Sequence, residues 1–378
     1  MTMTHRERLE TAWRLEEPDR VPIELELSAH AREHPRAGRV VELIEEHADN
    51  FTWAPGAGWG FFGFPTQYRE EVFEDRPGVG RRMRRVHETP AGTFTAVTFH
   101  PARQLDYHWE KRFIASPDDL RRLAETPRPP LTWDKGAWSA RVREAGESAL
   151  PLVSVMHPLG GLVRSATMEA MYAWFYEERA LVHRFLEAAN RQVAETVAGM
   201  VADGIGPCFS VCAHEMLLPP WMGHKLFDEF VFPYDKAVND IIRRSGGKLR
   251  AHIHGNCMDF LEKLWEMGID AVEPLESPPV GDVNLAEAKR RIGGRMMLSG
   301  NVPSPLFITL TPREVRRMVK DAIRVAAPGG GFSLRTTGGA GGTSVQMSDD
   351  EMDRALQNCE AYMLAGLQYG RYPIKLRQ

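Results

Sequence analysis

Cysteine is scarce in this chain. Cys208, Cys212, Cys257 and Cys359 are the only four in 378 residues. So few thiols make no disulfide framework, and the CxxxC spacing of the first two is not that of a redox CxxC pair. Both read as packed thiols. Nucleotide signatures are missing too. No GxGxxG follows the first strand-like segment, and no GxxxxGK[ST] occurs, which argues against a dinucleotide-binding fold or a P-loop enzyme. No apolar run approaches eighteen residues, so no membrane span is predicted. The opening MTMTHRERLE has no apolar stretch and predicts no secretory leader, hence a cytoplasmic protein. Neither sign of charge dominates: 47 Lys and Arg stand against 51 Asp and Glu. That balance excludes the basic footprint of a nucleic-acid binder.

What is present is an ordinary globular mix, 43% apolar and 26% charged. The length suits one large single-core domain or two ordinary ones. HRERLETAWRLEEPDRVPIEL reads as helix, turn and strand. From about residue 150 a rhythm of strand then helix sets in. PLVSVM, the stretch MVADGIGPCFSV, KLRAHIHGN, IDAVEPLE, RMMLSGNV and GFSLRTTGG read as strands, with amphipathic helical segments between them. That alternation predicts parallel βα units. At least six strands are clear, with room for two more in the irregular stretch 31–115. The predicted fold is α/β, a (β/α)8 TIM barrel with N-terminal elaborations. It forms a single domain over 1–378, with 31–115 inserted near the active-site face.

In such a barrel the chemistry sits at the C-terminal ends of the strands. Polar residues collect at those ends: His157, Asp203, His214, Glu215, His252, His254, Glu273, Glu276, Asn301 and Arg335. His252 and His254 lie two apart on one strand, so both face the same side. Two imidazoles and one carboxylate make a zinc-type ligand set with a position open for substrate. A metal-free polar cluster is the alternative. Of Glu273 and Glu276, only one is expected to join the histidines, and Glu276 is nearer the strand end. Asp203 could accept a substrate hydrogen bond or simply cap a turn. His214, Glu215 and Asn301 are candidates to orient a ligand. Arg335 could hold a carboxylate with its planar fork, or be consumed in an internal ion pair. The aromatic group Trp53, Trp59, Phe61, Phe62 and Phe64 reads either as a lid or as core for the inserted stretch.

Taken together, EEPDRVPI, FDEFVFPY, AHIHGN, MGIDAVEPLE, GDVNLAEAKRRIGGRMMLSGNV, TPREV and YGRYPI resemble the uroporphyrinogen decarboxylase superfamily. The resemblance runs from 7 to 374 and is densest after 200. It implies a barrel with its site at the mouth, and a homodimer. The arginine-rich RQAGR-type segment of the heme-pathway decarboxylase is absent: that region reads ELSAHAREH, and Arg32 does not replace it. A porphyrinogen with many carboxylates needs such cations. The superfamily's zinc-dependent methyltransferases carry a His-x-Cys pair and a later cysteine. By resemblance, His252 matches the histidine, His254 stands in the cysteine's place, and Glu276 matches a glutamate ligand of the methionine synthase barrel. No cysteine follows near TTGGAGG.

The resemblance implies a metal-dependent methyltransferase or demethylase acting on a small methylated compound. Zinc or another divalent ion would be held by His252, His254 and Glu276. Any corrinoid would come from a separate partner protein, since no DxHxxG motif is present. The alternative is a cofactor-free decarboxylase or lyase acting on a small carboxylated aromatic or pyrrolic compound.

Overall fold

The computed structural model describes residues 2–102 and 107–375. Its strands in chain order are β1 (Ile23–Glu24), β2 (Asn50–Ala54), β3 (Gln67–Arg76), β4 (Gly80–Thr89), β5 (Gly92–Pro101), β6 (His108–Lys111), β7 (Ala149–Ser154), β8 (Cys208–Cys212), β9 (Lys248–His252), β10 (Ala271–Glu273), β11 (Met297–Val302) and β12 (Phe332–Thr336). Eight of them form one parallel sheet in the order β1-β12-β11-β10-β9-β8-β7-β2, while β3 to β6 make a separate antiparallel meander.

The two ends of the eight-stranded sheet meet. Asp49 N–H donates to Ile23 O at 2.7 Å. The Asn50 side chain then stands in for a strand. Its Nδ2 donates to Leu25 O at 2.8 Å and its Oδ1 accepts from Leu25 N–H at 3.1 Å. An amide side chain carries the same donor and acceptor as a peptide, so it can complete a ladder at the seam. The predicted (β/α)8 barrel is therefore present and nearly closed.

The helices outside form for local reasons. In Pro312–Ala326, Thr311 and Glu314 make a capping box and Pro312 occupies the first turn. Val315, Val319, Ala322, Ile323 and Ala326 fall on one face and are buried. Where FDEFVFPY meets Pro233, one helix gives way to another, His224–Phe230 and then Phe232–Arg244.

The barrel floor is plugged by the first helix, His5–Trp13. Its Leu9, Ala12 and Trp13 pack on Leu150, Leu152, Cys208, Ala271 and Met297 from the barrel strands. Arg8 and Arg20 both bond Asp49, which is fully buried, and fasten that helix to the seam.

The irregular stretch resolves into parts. It contributes the helix Gly38–His47, barrel strand β2, the meander, and a connecting loop that carries Phe61, Phe62 and Phe64. Those three rings are core: Phe61 packs against Phe94 and Phe113 beneath the meander, and Phe62 against Phe185. Trp53 stays exposed.

Candidate functional site

Above the apolar floor the barrel interior is charged. Glu24 on β1 and Arg250 on β9 are four positions apart around the wall, yet Arg250 Nη2 donates to Glu24 Oε2 at 2.6 Å. The bond therefore crosses the interior. Arg335 on β12 donates to the same oxygen at 2.7 Å. The Ser299 and Ser333 hydroxyls reach Glu24 Oε1 at 2.8 and 2.5 Å. Burial opposes the charge on Glu24, but the two guanidiniums and the hydroxyls hold its pKa below the usual carboxylate range.

The mouth sits on this layer. Parallel register aligns Cys212, His252 and Glu273 across β8, β9 and β10. His252 Nδ1 lies 3.0 Å from Glu273 Oε1, and Glu273 Oε2 makes an ion contact with Arg335 Nε at 2.9 Å. Just past the strand, His254 Nδ1 lies 3.1 Å from Glu276 Oε1, while Glu276 Oε2 accepts from Gly255 N–H at 2.7 Å. Gly255 has φ +75°, which lets the chain turn out of β9 and aim that N–H at the carboxylate. The two imidazoles meet edge to face with centroids 4.6 Å apart.

Each mouth histidine thus spends Nδ1 on a carboxylate and keeps Nε2 free. Metal-binding histidines are held in this way. Among the described residues no third His, Cys, Asp or Glu joins these two imidazoles in a close ligand set, so the pair offers two nitrogens and would need substrate or water to complete the shell of an ion. It differs from expectation in two respects: both glutamates join the histidines, one apiece, and Glu276, expected as a ligand beside them, is instead committed to His254 Nδ1 and Gly255 N–H. His254 is raised above the ordinary imidazole value, first by its bond to Glu276, against burial, with Glu215 and Glu273 adding to the rise. Burial would push Glu276 up, but His254 and Gly255 lower it.

A second cluster lies behind the mouth. His157, after β7, puts Nδ1 3.0 Å from Asp235 Oδ1, and His214, after β8, puts Nε2 2.7 Å from Asp235 Oδ2. The rings stack at 4.3 Å with 6° between their planes. All three residues are buried, and one ligand atom from each lies within 4.8 Å of the others, so the set can hold a divalent ion. Gly160 makes room for the stack: a Cβ there would stand 2.7 Å from His157 Cδ2. Burial drives the His157 pKa down despite Asp235, so the ring is neutral. Asp235 stays ionised, since both histidines outweigh its burial. A neutral His157 beside an ionised carboxylate carries its proton on Nδ1, leaving a lone pair on Nε2. That nitrogen and His214 Nδ1 are buried without a hydrogen-bond partner.

The remaining expected residues fall in different places. Glu215 follows His214 in a short 3-10 turn, and its Oε2 is buried without a partner. Asn301 is the penultimate residue of β11. It lines a cleft of about 470 Å³ with Ser277, Asp282 and Met318. Arg335 is taken up by Glu24 and Glu273, the internal ion pair rather than a free carboxylate clamp. For Asp203 a correction is needed. MVADG is not strand but the end of the long helix Arg179–Ala202, and Asp203 caps it, accepting from Trp133 Nε1 at 2.7 Å. It precedes β8 instead of following a strand, which takes it away from the mouth. Two residues the sequence reading missed are Asp235 and Glu24. Asp235 shares the buried face of its helix with Val238, Asn239 and Ile242. A lone Asp at i where i+3 and i+7 are apolar is the signal that could have found it.

The family model described as uroporphyrinogen decarboxylase matches residues 153–338. A uroporphyrinogen decarboxylase of Shewanella piezotolerans is 26% identical over 174 residues, 44% of this chain and 45% of that protein. The match thus spans about half the length of that curated relative. Among solved structures, a methyltransferase from Methanosarcina mazei superposes with a TM-score of 0.59 at 15% identity, covering 97% of this chain and 99% of that one. A B12-independent methionine synthase from Shewanella sp. W3-18-1 gives 0.36 at 14% identity, over 62% and 68% of the two chains. Among the described residues no helix is long and apolar enough to cross a membrane. The chain thus has a parallel barrel, matched over residues 153–338 by the uroporphyrinogen decarboxylase model, and a buried His–His–Asp cluster able to hold a divalent ion.

Proposed function

We propose that this enzyme is a metal-dependent methyltransferase or demethylase acting on a small methylated compound, with any corrinoid supplied by a separate protein. The observation that carries the reading is the double carboxylate–imidazole pairing, Glu273 to His252 and Glu276 to His254, with both Nε2 atoms left over at the barrel mouth. His252 and His254 would hold the ion, and Glu276 fixes the ring of His254. A zinc ion bound there supplies Lewis-acid activation of the heteroatom that carries or receives the methyl group.

The chain's own groups do the rest. Glu273 and Glu276 set the imidazole tautomers, and Arg335 and Arg250 keep Glu273 ionised against its burial. The whole-chain likeness to a solved methyltransferase supports the same fold-level reading. Cofactor-free decarboxylation has less support, because the Arg335 fork it would use is already engaged by two carboxylates.

The test is elemental analysis of gently purified wild type, His254→Ala and His214→Ala, followed by demethylation assays with a corrinoid protein. About one ion per chain, lost in His254→Ala and kept in His214→Ala, supports the proposal. The reverse pattern moves the ion to the buried cluster. Turnover that survives complete metal removal ends the metallo reading.

A further inference from the structure

A cavity of about 280 Å³ lies between the loop after β2 and the ends of β7 and β8. Trp59, Phe61 and Phe62 form one wall; Ser154, His157, Arg164 and Cys212 supply polar groups. Its size falls just below the ~300–1,000 Å³ usual for ligand pockets, which suits a molecule of one ring.

Two groups in it are waiting for partners. His157 is only 5% exposed, and its Nδ1 is committed to Asp235, yet its Nε2 has no hydrogen-bond partner. A buried polar atom left unpaired costs stability unless something else satisfies it. Because Asp235 takes the proton side of the ring, Nε2 offers a lone pair and calls for a donor such as a hydroxyl. Arg164 gives one N–H to Cys212 Sγ at 3.1 Å and, among the described residues, pairs with no carboxylate. Its guanidinium is exposed at the cavity rim with further donors to spare.

We infer that this cavity binds a small hydroxylated aromatic acid, its ring against the aromatic wall, its carboxylate on Arg164 and its hydroxyl donating to His157 Nε2. The site adjoins the metal candidates, since Cys212 is the register neighbour of His252. It needs no metal, so its test is separate from that of the proposed function.

The experiment is titration calorimetry on the full-length protein in the presence of a chelator. The probes are 3- and 4-hydroxybenzoate, the matching hydroxybenzamides, and benzoate. The better hydroxybenzoate is expected to bind at least about tenfold tighter than its amide, through the charge-assisted bond to Arg164, and tighter than benzoate. In Arg164→Met, a substitution at an exposed position whose folding a thermal melt verifies, the preference for acid over amide disappears. Equal affinity for acid and amide, no gain from the hydroxyl, a preference that survives Arg164→Met, or no binding at all would each overturn the inference.

Discussion

His252 and Glu273 are register partners on adjacent strands, and the imidazole Nδ1 sits 3.0 Å from the carboxylate. The same carboxylate is held from below by Arg335 and, at 3.7 Å, by Arg250. The mouth histidine is therefore oriented by a chain of charge that begins deep in the barrel.

Glu273→Gln breaks that chain at its middle link. Loss of an outer partner of a metal-binding histidine lowers affinity about 10–100-fold. Zinc titration against a competing chelator should show a drop of that size, with the fold intact by circular dichroism. Unchanged affinity would mean that His252 is not a ligand.

Glu24→Gln removes one of the two carboxylates that Arg250 and Arg335 share and leaves Glu273 alone to balance both guanidiniums. Breaking a buried ion pair on one side costs about 3–5 kcal/mol. Chemical denaturation should register a loss in that range, far above that of an exposed pair such as Arg39–Glu42.

Acid should unfold the protein through a few named groups. Asp235, Asp49 and Glu24 all have folded pKa values below their ordinary ones, because paired cations or imidazoles outweigh burial. Such groups add stability above the unfolded carboxylate pKa of about 4, and the gain is lost as pH falls through the folded values. Asp270 acts in the opposite sense, since burial raises it. The melting temperature should therefore hold near neutrality and fall steeply below about pH 5. Asp235→Asn should flatten the fall while lowering the plateau.

Asn50→Ala removes the side chain that closes the seam. Two backbone groups of Leu25 lose their partner, at a cost of about 1–3 kcal/mol. A thermal melt would detect this, and Asn50→Asp should restore only the half that accepts from Leu25 N–H.

The order of strands and helices was legible because each element carries its own period and its own stop signals. His252 and His254 were legible because a period of two fixes their facing. MVADG was misread: its methionine ends the buried face of a 24-residue helix and its valine packs partly against the core, a pattern that a short window cannot separate from a strand. Asp235 was invisible for a different reason. It becomes special only when its helix lays it between His157 and His214, 78 residues before it and 21 before it. Glu24 reads as one polar residue in an alternating segment, and only barrel closure brings Arg250 to it from 226 residues away.

That closure also sets an order of events. The first strand, Ile23–Glu24, has β12 as its ladder neighbour, more than three hundred residues later: Ile23 pairs with Leu334. During synthesis the opening segment must wait until nearly the whole chain has been made, with its apolar residues and the Glu24 carboxylate unhoused. Contacts this distant in sequence form slowly and leave strand edges exposed meanwhile. The interval before the last strand arrives is when the nascent protein is most open to aggregation, and when a chaperone has most to protect.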